Sequence, residues 1–309
     1  MKKLVTLVLA LVLVAATACA SATSIGVIQL VQHDALDLAT QGFIDAVKAA
    51  IPDADIEVQN ASGDTAACAT HANSFVSAGV DLIMANATPA LQAASAATAD
   101  IPVLATSITE YGVALGIDDF SGVTGINVSG TSDLAPLSEQ AAMVKELFPE
   151  AKKVGLLYCS AEANSIYQVK VVGEELAKLG YETEEFPFTD SNDVASVAQN
   201  AADNCDVIYI PTDNTAAAYK ETIGNVVIPA SIPVIAGEEG ICAGCGVATL
   251  TISYYDIGYK TGEMAVEILV NGADISTMPI EYAPQFVKKY NPEIAESLGV
   301  AIPEGYEAM

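Results

Sequence analysis

Two short polar stretches sit where a buried, strand-like run gives way to a helix-like one. Thr88-Pro89 follows the apolar run 80–85, and Asp213-Asn214 follows the run 206–210. A helix N-terminus offers free N–H groups and a partial positive charge, which suits an anion. At Thr88 nothing cancels that charge. At Asp213 a carboxylate does, and it can also accept from an ammonium group. One position thus suits a carboxylate and the other an amine, which together fit an α-amino acid zwitterion. Both residues are also ordinary helix caps.

A second polar group comprises Ser160, Glu162, Asn164 and Ser165, after the run 154–158. Its counterpart, Gln32-His33-Asp34, follows the run 25–31. Both turns are expected to edge a cleft, although solvated loops would read the same way. His33 could hydrogen-bond to a ligand or stack on it. Thr106 and Ser107, after the run 101–105, and Glu238, after the run 232–236, complete the expected ligand contacts. Two His, of which His71 lies on an Ala-rich helix, give no support for zinc. Cys242-x-x-Cys245 lies in a Gly-rich loop, which favours a local disulfide or two idle thiols over redox chemistry. Asp190-Ser191-Asn192-Asp193 is too short for a calcium loop. Walker, dinucleotide, nucleophile-elbow and HExxH signatures are absent. No catalytic residue, metal or cofactor is therefore expected.

These residues need a scaffold, and the chain repeats one. IGVIQLV (25–31) is a short β-branched run. After the polar break, Leu36, Phe43, Ile44 and Val47 fall near a helical stripe, with Asp34 placed to cap it. IGVIQLVQHDAL aligns with VGLLYCSAEANS, DLIMANATPALQAA with DVIYIPTDNTAAAY, and DIPVLATS with SIPVIAGE. Two copies of one βα arrangement imply an α/β protein of two similar Rossmann-like lobes with parallel sheets. Loops at the carboxyl ends of such strands bind ligands. A further strand at 247–252 and a helix at 254–270 follow the second copy, so the chain crosses between lobes more than once. Repeated crossings predict a multi-strand hinge. The expected lobes are 24–128 with 250–273, and 129–249 with 274–309. In detail, the pattern predicts an irregular segment at 107–121, a strand at 123–128, and a helix from Ser132-Asp133 to about Phe148.

The chain has 309 residues, enough for two domains. Aromatics are 6% and Trp is absent, so the cores must be built mainly from Ala, Val, Ile and Leu. Acidic side chains number 39 against 12 basic ones, and the net charge is −27. Such a surface repels phosphate backbones and excludes nucleic acid as a partner. Met1-Lys2-Lys3 followed by the apolar run 4–16 reads as a secretory signal, expected to end at residue 18. Ala16-Thr17-Ala18-Cys19 suits cleavage with lipid attached to Cys19, or ordinary cleavage at an Ala-x-Ala site. The chain is expected to be exported, anchored on the outer face of the cytoplasmic membrane or periplasmic.

Taken together, the first unit, Ala-Thr-Pro at 87–89, the Ile-Pro-Val strand and Ser-Ala-Glu-Ala-Asn-Ser at 160–165 form a recognisable set. Ile-Pro-Thr-Asp-Asn-Thr at 210–215, Gly-Glu-Glu-Gly at 237–240 and Tyr-Tyr-Asp-Ile-Gly-Tyr at 254–259 extend it. The chain resembles the substrate-binding lipoproteins of ABC importers of the tryptophan/tyrosine type (TrpX-like). The resemblance spans the mature chain. It implies a type I periplasmic-binding fold, no catalysis, a monomer, an amino-acid ligand with aromatic ones favoured, and a membrane permease as partner. Two departures stand out. Glu110-Tyr111 replaces the usual Asp-Pro near the presumed cleft, and Cys242 and Cys245 replace a Cys-free turn. A ligand-sensing module for a membrane receptor, or an exported enzyme using Glu162 or Asp213, would suit the same scaffold.

Overall fold

A computed structural model describes residues 22–309. The signal segment and Cys19 lie outside the described residues. The first half runs β1 (Ser24–Gln29), α1 (Asp34–Ala50), β2 (Asp55–Asn60), α2 (Thr65–Ala78), β3 (Leu82–Asn86), α3 (Thr88–Ala97), β4 (Val103–Ile108), α4 (Tyr111–Leu115) and β5 (Val128–Ser132). The second runs α5 (Leu137–Leu147), β6 (Lys153–Cys159), α6 (Ala163–Lys178), β7 (Glu182–Phe188), α7 (Val194–Asn204), β8 (Val207–Ile210), α8 (Asn214–Ala218), α9 (Lys220–Val227), β9 (Val234–Ala236), α10 (Glu239–Cys245) and β10 (Ala248–Thr251). The remainder is α11 (Tyr254–Leu269), β11 (Glu281–Tyr282), β12 (Val287–Tyr290), α12 (Pro292–Ser297) and β13 (Glu307–Ala308).

Two sheets form, ordered β11-β5-β4-β3-β1-β2 and β13-β12-β10-β9-β8-β6-β7. Five consecutive strands of each, β5-β4-β3-β1-β2 and β10-β9-β8-β6-β7, are parallel, and their orders match one for one. The sequence repeat is therefore a structural duplication. Alternation along β1 explains why each sheet is covered on both faces. Ile25 and Val27 pack with Phe43, Met84 and Met264, whereas Ile28 packs with Phe75 and Leu91. In the second sheet Leu156 and Tyr158 join one core, and Leu157 and Cys159 the other.

The chain crosses between sheets after β5, after β10, and between β11 and β12. The second crossing brings α11 back onto α1 of the first lobe. There the backbones touch. A Cβ on Gly258 would lie 2.0 Å from the Ala39 carbonyl oxygen, and one on Gly42 would lie 2.2 Å from that of Tyr255. Segment 274–282, expected with the second lobe, returns to the first instead. Ile280 enters the core with Ile28 and Phe75, and β11 pairs with the free edge of β5.

Four local expectations also change. The strand expected at 123–128 forms at 128–132, because register with β4 puts Val128 beside Val103. Ser132 thus ends a strand, and the helix begins only at Leu137, after Pro136. The irregular stretch contains α4, capped by Glu110 and stopped by Gly116 at φ +65°. Cys242 and Cys245 lie on helix α10 rather than in a loop. Its Gly244 lets α9 approach so closely that a Cβ on Gly224 would meet the Gly244 carbonyl at 2.4 Å. Packing, not propensity, makes that segment helical. Both thiols are free and buried.

Candidate functional site

The carboxyl ends of the two sets of parallel strands face one another across a cavity of about 640 Å³. The first lobe contributes Leu30, Val31, Gln32, Asn60 and Pro89. The second contributes Cys159, Glu162, Thr189, Asp190, Thr215 and Tyr219. The volume suits a small organic molecule.

On the first-lobe wall, helix α3 starts without a side-chain cap. Its N-cap is Ala87, not Thr88; Thr88 is the first helical residue and Pro89 the second. Ala87 is held at φ +89° and ψ 155°, a region that disfavours any residue with a Cβ. The Ala87 N–H donates to the Thr106 carbonyl at 3.2 Å, which ties the helix start to the end of β4. Ser107, next on β4, has φ +57°, and its buried hydroxyl has no partner among the described residues. Among the described residues, the helix end nearest the cavity thus keeps its N–H groups free of a capping carboxylate, and its positive field faces outward.

The equivalent helix start in the second lobe is filled. Asp213 caps α8 by accepting from the Ala216 N–H at 2.8 Å. Its other oxygen accepts from the Cys159 N–H and the Ser165 hydroxyl, both at 2.7 Å. Glu162 reaches across from the start of α6. It accepts from the N–H groups of Asn214 and Thr215 at 3.1 and 2.9 Å, from the Asn214 amide at 2.6 Å and from the Thr215 hydroxyl at 2.8 Å. Burial, then the neighbouring Glu162 carboxylate, push Asp213 well above the ordinary carboxylate range. Asn164 donates to Glu162 and to the Thr212 carbonyl, which Gln168 also holds.

The expected residues therefore separate. Gln32, Pro89 and Glu162 line the cavity. Thr88, Ser107, Asn164, Ser165 and Asp213 lie buried behind its walls. Thr106 does not face it: its hydroxyl joins Thr131, which bonds Thr261 of α11 at 2.9 Å, inside the first lobe. Ser160 bonds the Phe188 carbonyl, tying the turn to β7. His33 bonds Asn214 across the lobes at 3.3 Å, Asp34 pairs with Lys220, and Glu238 caps α10 through the Gly240 and Ile241 N–H groups. Burial lifts Glu238 to about 7, an effect that Lys220 opposes. Neither Glu110 nor Tyr111 lines the cavity, and Glu110 caps α4. The Tyr111 ring is buried in the first lobe, where its hydroxyl bonds the Ala105 and Thr131 carbonyls.

Sequence reading missed Asn60, Thr189, Asp190 and Tyr219, which the end of β2, the loop after β7 and the end of α8 carry to the cavity. The repeat itself was the available signal, because β2 and β7 are equivalent strands. It also missed Asp133, buried where the chain leaves β5. One of its oxygens accepts from Tyr254 at 3.0 Å, the other has no partner among the described residues, and burial raises it to about 6.

Comparison with known proteins agrees with this geometry. The family of ABC transporter substrate binding proteins matches residues 24–308. A tyrosine-binding protein of Clostridioides difficile (strain R20291) is 38% identical over 261 residues, covering 83% of this chain and 75% of that protein. A solved Streptococcus pneumonia structure in complex with L-Trp superposes with a TM-score of 0.88 at 32% identity, covering 94% of this chain and all of that one. The ligand-free, open structure of a Clostridium difficile substrate binding protein with adhesive properties gives 0.70 at 36% identity, covering 93% and 99%. The lobes here thus stand closer to the arrangement of the L-Trp complex than to the open one. The fold is the type I periplasmic-binding fold. The chain belongs to the ABC transporter substrate-binding protein family, whose members act outside the cytoplasm.

Proposed function

We propose that this protein captures a free aromatic amino acid between its lobes and delivers it to the permease of an ABC importer, without chemical change. One observation carries the reading: of two equivalent helix starts on facing walls of one cavity, one is bare and the other holds two carboxylates. The bare α3 start, which reaches the cavity at Pro89, receives the ligand carboxylate. Glu162, backed by Asp213, makes the second wall negative and receives the ammonium. Leu30, Val31, Pro89 and Tyr219 offer the side chain an apolar and aromatic surround. The tyrosine-binding relative and the L-Trp complex support the aromatic class. Residues 1–18 act as the export signal, and Cys19 carries the lipid that keeps the protein near its permease.

Native mass spectrometry of the purified protein, followed by calorimetry with each proteinogenic amino acid, tests this. Tyrosine, tryptophan or phenylalanine is expected to bind, and the analogue lacking the amine to bind at least tenfold more weakly. Binding confined to sugars, or to none of the twenty, would overturn the assignment. Equal affinity for the deaminated analogue would remove the role of Glu162.

A further inference from the structure

Three residues expected to touch the ligand, His33, Asp34 and Asn214, instead join the lobes to each other, together with Lys220. Loop 33–34, at the start of α1, belongs to the first lobe. Asn214 and Lys220, at the starts of α8 and α9, belong to the second. The Asn214 amide donates to Glu162 at 2.6 Å, which fixes its orientation and turns its oxygen to His33. The His33 Nε2 must therefore carry the proton and donate at 3.3 Å. Burial also lowers the His33 pKa, so the ring is neutral at pH 7. Beside it, the Lys220 ammonium pairs with Asp34. The Lys220 stem runs against α10: a Cβ on Gly244 would come within 2.5–2.9 Å of its first three carbons. The ammonium also lies close enough to buried Glu238 to lower that carboxyl. Lys220 is thus held in the second lobe by packing against α10, while Asp34, whose side chain is 67% exposed, is the part that arrives on closure. None of His33, Asp34, Asn214 and Lys220 lines the cavity.

We infer that Lys220, together with Asn214, acts as a latch that sets the open–closed equilibrium of the lobes from outside the ligand cavity. A ligand bound only by the closed form has its apparent affinity scaled by the closed fraction, so these are positioning residues that tune capture without touching the cargo. The ion pair is partly solvated, which limits its effect to several-fold rather than many decades. Asp34 keeps favourable company when the lobes part, because it sits in the first turn of α1 and faces that helix's positive end. The latch is therefore reversible. The inference rests on the amino-acid capture reading for its purpose but not for its test.

Single-molecule energy transfer between dyes on the two lobes, in ligand-free full-length protein, reads the closed fraction directly. Lys220→Met keeps the stem and removes the charge; it is expected to lower the closed fraction about three- to tenfold, and Lys220→Arg to restore it. Asp34→Asn should have a similar effect alone and none in the Lys220→Met background, because the two side chains act as one pair. Raising salt from 0.02 to 1 M should reduce the closed fraction of the wild type and not that of Lys220→Met. An unchanged closed fraction in Lys220→Met, an equal effect of Asp34→Asn in both backgrounds, or a wild type with no closed population would overturn the latch. Stopped-flow release of L-tyrosine is then expected to quicken by the same factor as the closed fraction falls. Absence of tyrosine binding in every variant, with the closed fractions shifting as stated, would count against the amino-acid reading alone.

Discussion

Helices α3 and α8 occupy equivalent places in a duplicated scaffold, yet their first turns are chemically opposite. The α3 start has no side-chain cap and accepts strain at Ala87 to stay bare. The α8 start takes Asp213 as its cap and Glu162 as a second lid over Asn214 and Thr215. Duplication gave both lobes the same backbone device, a helix dipole aimed at the cleft. Divergence left the device exposed on one side and reversed its sign on the other. A zwitterion reads both signs at once, which neither lobe could do alone.

The largest effect should come from removing the lid. Glu162→Ala leaves the half-buried N–H groups of Asn214 and Thr215 without their acceptor, and is expected to cost about 3 kcal/mol in denaturant titration. The matched change in the first lobe, Thr88→Ala, should cost less than about 0.5 kcal/mol, because Thr88 does not cap α3. Similar losses for both would mean that the two helix starts are not different in kind. Asp213→Asn belongs to the lid class as well. Both Asp213 oxygens face donors, so an amide would turn its own N–H groups toward an N–H, and a loss of about 1–3 kcal/mol is expected.

The next effect is on pH dependence. Burial lifts Glu238 to about 7 and Asp133 to about 6, whereas in the unfolded chain both titrate near 4. Between those limits the folded protein keeps protons that the unfolded chain releases. Their contribution is fully present below about pH 4 and is lost as pH rises toward 7. His33 works in the opposite sense: with its pKa lowered by burial, stability falls once the pH drops below its ordinary value near 6.5. The melting temperature should therefore rise on going from pH 8 to about pH 6, by roughly 3–5 °C or about 1–2 kcal/mol. Glu238→Gln should flatten that slope. A melting temperature that falls over the same interval would contradict the assigned directions.

The smallest effect sharpens the first-lobe half of the comparison. Ala87→Gly relieves the positive φ at the cost of one buried methyl, and is expected to stabilise the fold by about 0.5–1 kcal/mol. The same change should weaken amino-acid binding several-fold if the strain serves to hold the α3 N–H groups in place. Destabilisation by more than 1 kcal/mol would show that the methyl contact outweighs the strain.

Much of this was legible in the residues themselves. Periodicity and the internal repeat specify the strands, their order of appearance and the two lobes, because local hydrophobic pattern and chain chirality fix βα units. The polar breaks at 32–34, 88–89, 160–165 and 213–214 mark the strand ends that face the cleft. Their division of labour came only from tertiary structure. Whether Glu162 lines a cavity or caps a neighbour depends on α6 and α8 meeting across 52 positions of sequence. That His33 clasps Asn214, 181 positions away, depends on two lobes closing on each other. The same limit explains 274–282, which joins the first lobe because Ile280 finds a place in its core, and α10, which is a helix because α9 needs a glycine-faced partner. Local pattern carries the sign of the hydrophobic face and the identity of the caps; only the packed molecule decides which partner each polar group finds, since that choice is made by elements far apart in the chain and near in space.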